Sequence, residues 1–454
     1  MRREAIASLK WTSLAQCLRQ AIALLTKLVL ARLLAPDDFG LFAMLLVVTG
    51  FVELTQDMGT SAVVVSARQR NQPLFSTLFW INVISGVVLA AVVALAAPLI
   101  AAVYAEPRIA GLCRAAAVLF VLNALVIVPR AVLSRRLRLD VLARVELIAA
   151  TLGAAAAIAV AIAGGGVWSL LAQPVVASFV AVIMIWRRVR WRPSRQLDWT
   201  ATRGVRRYTA YLSGFTVLDY LHLNGDNFLI GLVLGAQDLG VYAVAYLIAV
   251  FPANTMVNVV CRVLFPYHAR VRHDDAHVRR TFLTVVRASA LVVFPAIIGL
   301  AAVGDLFATV VLGPEWATCG VVLVLLTPVA LGKVVAATTG PIYQVTGRTD
   351  LMFRWGVRYL LVTLLAFAIG VQWGVKGVAA AYSMTLLVAW PIFSVPFGLI
   401  GIRLRDLGHV IARPLALCVV MAGVVVGVKT PLVTTLGPAS ALALLVVIGV
   451  AVYA

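Results

Sequence analysis

The chain has 454 residues, of which 63% are hydrophobic and only 12% charged, where soluble domains carry about 25% charged residues. That composition excludes an ordinary soluble globular protein and describes an all-α polytopic membrane protein. The formal charge of +20 would suit nucleic acid, but the placement of the basic residues along the chain argues against such a partner.

A membrane-crossing helix takes about 20 apolar residues. On that rule the chain divides into about fourteen spans, at 9–33, 39–64, 74–103, 111–133, 145–165, 167–186, 208–234, 238–264, 282–304, 318–345, 355–372, 375–399, 413–428 and 436–454. The opening Met-Arg-Arg resembles the basic start of a signal peptide. The segment after it is too long and too charged for one, so the first helix reads as a retained span. It carries a polar stripe of Thr12, Gln16, Arg19, Gln20 and Lys27, which at about 100° per residue occupies one side of the helix. A charge at bilayer depth costs on the order of 2.5–3.5 kcal/mol on insertion scales. Two cations on one stripe therefore point to a wet, anion-seeking cavity. The bland alternative is that Lys27 snorkels to the outer interface and Arg19 pairs with a neighbour for packing.

The second span holds Glu53 and Asp57 on one face. They either pair with the first-span cations and act in ion coupling or gating, or, for Asp57 in Gln56-Asp-Met-Gly-Thr, cap a helix. The seventh span carries Asp219, His222 and Asp226 on one stripe, with Tyr220 and Asn227 alongside. Carboxylates there are candidates for proton or sodium coupling, or members of a polar network between helices. Lys333 stands alone in the tenth span, lining a cavity or satisfied by helix carbonyls. Prolines 174, 252, 295, 328, 391 and 396 lie inside spans or at their ends and kink them. The last span stops at Ala454 without a polar tail, so the chain reads as truncated.

With the N-terminus inside, 30 of the 38 basic residues fall in inner loops and five in outer ones. This asymmetry fixes the orientation and makes anionic lipid headgroups the neighbours of the inner loops. The longest polar stretch, Arg187–Arg207, divides the chain near its middle. Residues 30–43, LARLLAPDDFGLFA, echo residues 230–243, IGLVLGAQDLGVYA, at a shift of 200, and Gly165-Gly-Val-Trp-Ser echoes Lys376-Gly-Val-Ala-Ala. Two six-span halves in the same orientation are parallel repeats, a design that houses substrate sites at the repeat interface. The expected organisation is a lobe at 1–190, a basic linker at 191–207, a second lobe at 208–400 and two extra helices at 401–454. The same shift sets Asp219 against Arg19, and Asp226 and Asn227 against Thr26 and Lys27. A cavity with a basic wall and an acidic wall is the expectation.

Cys17, Cys113, Cys261, Cys319 and Cys418 show neither metal-ligand nor disulfide spacing and read as free thiols. No phosphate-binding GxxxxGK[ST] loop occurs. The nearest sequence, Gly427-Val-Lys-Thr, lacks the spacing. Outer loops are short and hold no paired catalytic acids. No metal, no organic cofactor and no enzymatic activity are expected, with Na⁺ or H⁺ as the candidate coupling ion.

Several stretches together resemble one family. They are Leu30-Ala-Arg-Leu-Leu-Ala-Pro-Asp-Asp-Phe-Gly-Leu-Phe-Ala with Gln56-Asp-Met-Gly-Thr, Asn224-Gly-Asp-Asn-Phe-Leu-Ile-Gly-Leu-Val-Leu-Gly with Leu239-Gly-Val-Tyr, Val263-Leu-Phe-Pro and Leu312-Gly-Pro-Glu-Trp. In order and spacing, over residues 8–400, they resemble bacterial polysaccharide transporters: the Wzx-type oligosaccharide flippases of the multidrug/oligosaccharidyl-lipid/polysaccharide superfamily. The resemblance implies two six-helix lobes in a V plus two helices, in the bacterial cytoplasmic membrane. It also implies a central cavity whose basic residues hold the pyrophosphate of an undecaprenyl-linked oligosaccharide. Arg19 and Lys27 are the natural carry-overs, with Gln16, Gln20 and Lys333 as further substrate contacts, and Asp226 matches the acid of the family's seventh-span pattern. A functional monomer, working beside a polysaccharide polymerase and export machinery, is the expected setting. The chain departs from the family in its richness in arginine over lysine. A cation-coupled multidrug antiporter of the same superfamily is the alternative reading, and a membrane-embedded polysaccharide polymerase a more distant one.

Overall fold

A computed structural model describes residues 2–54, 56–57, 59–66, 72–194, 220–270, 275–336 and 339–453. Regular structure among the described residues is helical throughout. Nine described segments are long and apolar enough to cross a membrane, from Gln72–Val103 to Leu404–Leu436, with Pro438–Tyr453 a shorter apolar helix. Their outward faces are apolar as well: on Gln72–Val103 the exposed residues include Ile84, Val88, Val92, Leu95 and Leu99. Apolar stripes of this size facing outward suit lipid and not water. The protein is an all-α, multi-pass membrane protein.

The chain forms two compact units, Met1–Ala236 and Gln237–Ala454. The first contains α1 (Arg2–Leu33), α2 (Pro36–Glu53), α3 (Thr60–Ser66), α4 (Gln72–Val103), α5 (Arg108–Arg135), α6 (Leu139–Ile162), α7 (Val167–Arg188) and α8 (220–233). The boundary falls after α8, so the helix carrying Asp226 packs within the first unit, beyond the basic stretch at 191–207. Helix α5 is the hub and touches α2, α3, α4, α6 and α7, while α1 runs along α6.

The expected second span, 39–64, is two helices. Helix α2 opens with Pro36 at its first turn, followed by Asp37 and Asp38, where a missing N–H is harmless and negative charge suits the helix dipole. It stops at Glu53, and the corner before α3 needs Gly59 at φ 72°, a left-handed conformation that a side chain would strain. Helix α2 also makes an unusually close approach. A Cβ at Gly40 would lie 1.7 Å from the carbonyl oxygen of Ala236. Asp38 accepts a hydrogen bond from the N–H of Val167, tying the start of α2 to the start of α7, and Arg108 bridges Asp37 (2.6 Å) and Glu106 (3.0 Å) beside it.

At the opposite end of the unit, Phe75, Phe79, Ile185 and Trp191 are buried together. Phe79 meets Trp80, Trp186 and Trp191 edge-on at centroid distances of 5.4–5.8 Å. The chain leaving α7 is pinned to α4, because Gln72 donates to the carbonyl of Arg192 (2.6 Å), Trp80 to that of Ser194 (3.2 Å), and the N–H of Ser194 to Ser76 (2.9 Å).

The second unit contains α9 (Gly235–Arg270, whose first two residues precede the boundary), α10 (Asp275–Ala302), α11 (Gly304–Phe307), α12 (Ala317–Ala336), α13 (Thr339–Val345), α14 (Thr349–Gly370), α15 (Gly374–Leu399), α16 (Leu404–Leu436) and α17 (Pro438–Tyr453). The expected tenth span, 318–345, ends at Ala336, and α13 follows separately. The expected thirteenth span, 413–428, extends to the whole of α16. Helices α14 and α15 form a tight hairpin in which a Cβ at Gly377 would lie 2.2 Å from the carbonyl oxygen of Gly370. Helix α10 is held to α16 by Arg279 on Asp406 (2.7 Å), and its Phe282 meets Phe397 of α15 at 5.5 Å.

Candidate functional site

The first unit holds an open cavity of about 1020 Å³ lined by α1, α2, α3, α5, α6 and α7 and by the corner between α2 and α3. Helix α1 contributes Arg19, Ala23 and Lys27, spaced at i, i+4 and i+8 and therefore close to one line along the helix. The opposite side of α1 shows Leu18, Leu25, Val29 and Leu33 to the exterior. An apolar helix with one basic stripe thus turns that stripe toward the polar lining of the cavity.

Arg19 is half-buried. It donates from Nη2 to the side-chain oxygen of Gln16 at 3.1 Å, while its Nε is buried without an acceptor. Gln16 and Gln20 stand on α1 outside the cavity lining, and Gln16 acts on Arg19 as a neutral acceptor. Lys27 lines the cavity one turn beyond Ala23, beside the buried Thr26, whose hydroxyl bonds back to the carbonyl of Ile22 (2.7 Å).

Both second-span acids line the same cavity but differ in use. Asp57 is occupied by the chain around it: it accepts from the hydroxyl of Thr60 at 2.7 Å, from the N–H of Ser61 at 3.0 Å and from the hydroxyl of Ser61. Asn82 of α4 donates in turn to Thr60 at 2.9 Å. This is the geometry of a helix cap that closes α3. Glu53 accepts a long contact from the amide of Asn123, 3.4 Å, and Ser178 lies 3.4 Å from the other end of that amide. Gln56, between the two acids, donates to the carbonyl of Phe120.

Polar residues of the lining that do not stand out in the sequence as site residues include Asn123 and Arg130 on α5, Glu146 on α6 and Gln173 on α7. Arg130 and Glu146 approach each other to 3.9 Å across α5 and α6. By its sign alone Arg130 counts with the inner loops. The signal that places it otherwise is Pro129-Arg130 inside a continuous helix that ends only at Arg135. Among the described residues the cavity therefore holds three cations and three carboxylates. Its acids come from α2, the α2–α3 corner and α6, and none of the described ones from the seventh span.

The described acid of the seventh span lies elsewhere. Asp219 falls outside the described residues. Asp226 is 2% exposed and accepts the N–H of Asn227 at 2.8 Å. Its helix is fastened to α2 by Tyr220, whose hydroxyl donates to the carbonyl of Val47 at 2.7 Å. Gly50 makes room for that ring, since a Cβ there would lie 2.6 Å from the tyrosine oxygen. His222 shares α8 and does not line the cavity.

Lys333, on α12 of the second unit, donates to the hydroxyl of Tyr246 and lies 4.8 Å from that ring's centroid. Tyr246 is stacked between Tyr242 (6.0 Å) and Tyr382 (6.4 Å), and Phe367 meets Tyr382 edge-on at 5.1 Å. Among the described residues no group of His, Cys, Asp and Glu is arranged to hold a metal ion.

Residues 29–321 match the model of the family described as "Polysaccharide biosynthesis protein". The chain is 28% identical over 404 residues to the teichuronic acid biosynthesis protein TuaB of Bacillus subtilis (strain 168), covering 88% of this chain and 82% of that one. It is 26% identical over 400 residues to the lipopolysaccharide biosynthesis protein WzxC of Escherichia coli (strain K12), covering 86% and 80%. Its fold is similar to that of the lipid II flippase MurJ in an inward closed conformation, with a TM-score of 0.76 and 11% identity over 97% of this chain and 96% of that one. The family match spans well over half of the residues, and the chain belongs to the polysaccharide biosynthesis protein family.

Proposed function

We propose that the protein is a flippase that moves an undecaprenyl-pyrophosphate-linked oligosaccharide from the cytoplasmic to the periplasmic leaflet of the bacterial inner membrane. The observation that carries this reading is the placement of Arg19 and Lys27 in one cavity inside an apolar helix bundle, with the Arg19 Nε unspent. Arginine presents a planar fork of donors suited to phosphate. Set among apolar helices, its charge acts at a lower effective dielectric than in bulk water. The polar headgroup occupies the cavity while the lipid tail stays in the bilayer. The cavity opens first to one face of the membrane and then to the other. An ion gradient or the membrane potential supplies the direction, with Glu53 the acid best placed to titrate, because Asp57 is already committed to its cap. Family membership and the MurJ-like fold support the same reading. The protein works as a monomer beside the polymerase and export machinery that consume its product.

The test is an Arg19→Ala protein present at wild-type level in cells. Polymer export should fall and the lipid-linked unit should accumulate on the cytoplasmic leaflet. Full export by that variant would refute the pyrophosphate role. The carboxylates Glu53 and Glu146 in the same cavity favour a second reading, a cation-coupled drug antiporter. A deletion strain that loses drug efflux and keeps its polysaccharide would establish that one instead.

A further inference from the structure

Arg130 is the least explained cation of the cavity. Position along α5 defines its role. Asn123, Ile127, Arg130 and Ser134 all line the cavity, at steps of three to four residues, so they form one stripe. Seven residues of helix set Asn123 and Arg130 about 10.5 Å apart along it. The neutral amide thus marks one end of the stripe, and the guanidinium lies toward the other, one turn before Ser134. The amide end lies against Glu53, a poor neighbour for an anion.

The guanidinium is incompletely used. Its Nε is buried without an acceptor, and Nη2 stands 3.9 Å from Glu146, outside hydrogen-bond range. Both side chains of that pair are about a third exposed or more, where such pairs hold weakly. Arg19 shows the same condition: a buried Nε without an acceptor, and a neutral amide as its hydrogen-bond partner. Two arginines on different helices therefore present the same unspent donor in one cavity.

We propose that Arg130 is the second phosphate-binding arginine of the cavity and that Glu146 is its resting counter-ion, displaced when the phosphate arrives. The inference rests on the flippase reading and assigns it a second ligand. A pyrophosphate has two phosphoryl groups, and a guanidinium fork on each gives bidentate recognition that a point charge does not. Glu146 neutralises Arg130 in the empty cavity, where an uncompensated cation is costly. Being out of hydrogen-bond range, it yields to an acceptor that both Nε and Nη2 can reach. Substrate binding thereby frees a carboxylate within the cavity.

The purified full-length protein is titrated calorimetrically with inorganic pyrophosphate. Arg130→Gln should weaken binding about 10-fold, the scale of a lost charge-assisted hydrogen bond. Glu146→Gln should strengthen it about threefold, because the competing carboxylate is gone, and adding Glu146→Gln to Arg130→Gln should bring no gain. Arg130→Lys keeps the charge without the fork and should weaken binding by a smaller factor, and it decides the matter if Arg130→Gln does not fold. Unchanged affinity in Arg130→Gln or Arg130→Lys overturns the assignment. So does a Glu146→Gln protein that binds more weakly, since a merely structural pair would lose in both variants. Wild-type protein that binds no pyrophosphate overturns it as well. The flippase reading is judged separately: the expected shifts in pyrophosphate affinity, with full export from Arg19→Ala cells, would leave Arg130 a phosphate ligand in a protein that does something else.

Discussion

Arg19 in the first unit and Lys333 in the second are both cations carried on apolar helices, and their surroundings differ in kind. Lys333 is consumed by the protein itself: its ammonium donates to Tyr246 and lies against a ring that is stacked between two other tyrosines. Arg19 has a neutral amide on one nitrogen and nothing on another, in a cavity of about 1020 Å³. A cation over an aromatic face gains about 0.5–2 kcal/mol, which stabilises the folded chain. A guanidinium with an unmatched donor costs stability and gains it back only from a ligand. Charge inside a membrane helix is thus no single signal. What distinguishes a structural cation from a binding one is whether its donors are already spent.

Export separates the two most widely. Arg19→Ala should lower polymer export by about 10- to 100-fold, the scale of one charge-assisted hydrogen bond to phosphate, while Lys333→Ala at equal protein level keeps most of it. Equal losses would erase the distinction. Thermal unfolding in detergent should reverse the order: Lys333→Ala loses about 1–2 kcal/mol through its tyrosine contacts, and Arg19→Ala is neutral or stabilising. Within the cavity the two second-span acids offer a finer version. Asp57→Ala should cost about 1 kcal/mol of stability, as helix caps do, whereas Glu53→Gln should leave stability unchanged and alter the pH dependence of export. If Asp57→Ala instead abolished export in a stable protein, its cap would be secondary to a direct role.

The smallest expected effect lies at Asp305, which pairs with Lys429. Partial burial raises the carboxyl pKa, but the hydrogen bond and charge of Lys429 and the N–H of Leu306 outweigh it, so the acid is held below its ordinary value. A depressed acid contributes stability above its unfolded pKa and loses it as pH falls through the folded one. The pair is partly exposed and screened by salt. Unfolding followed from pH 7 down to about 3 should show a slight loss below about pH 4 that Asp305→Asn removes.

Much of this was legible in the sequence because the background is so apolar. Arg19, Lys27, Glu53 and Asp57 stand out against leucine, valine and alanine, and all four line the cavity. Arg130 and Glu146 do not, because charges within a turn or two of a span's end look like interfacial charges, and a count by sign cannot tell a loop arginine from one that faces inward. Asn123 and Gln173 are neutral amides whose meaning depends on neighbours from other helices. The break in the second span is hidden because Gln56-Asp-Met-Gly-Thr is short and flanked by apolar runs. Only the φ of Gly59 and the hydrogen bonds gathered by Asp57 make it a corner. The acids that share the cavity with the first-span cations also come from nearer in the chain than the repeat pattern indicates, since a shift of 200 compares equivalent helices, and helices in contact need not be equivalent.

The tie between Asp38 and the N–H of Val167 bears on how the protein is made. Helices α1 and α2 leave the ribosome before α5, α6 and α7, yet the cavity that shelters Arg19 and Lys27 needs all three, and Asp38 has no Val167 to bind until α7 begins. During synthesis the first helix therefore enters the bilayer with its charges unsheltered, at a cost of about 2.5–3.5 kcal/mol each on insertion scales. The clasp closes only when the seventh helix arrives. Biogenesis of this unit is a waiting step, and variants that weaken the clasp should show their defect in newly made chains before they show it in mature ones.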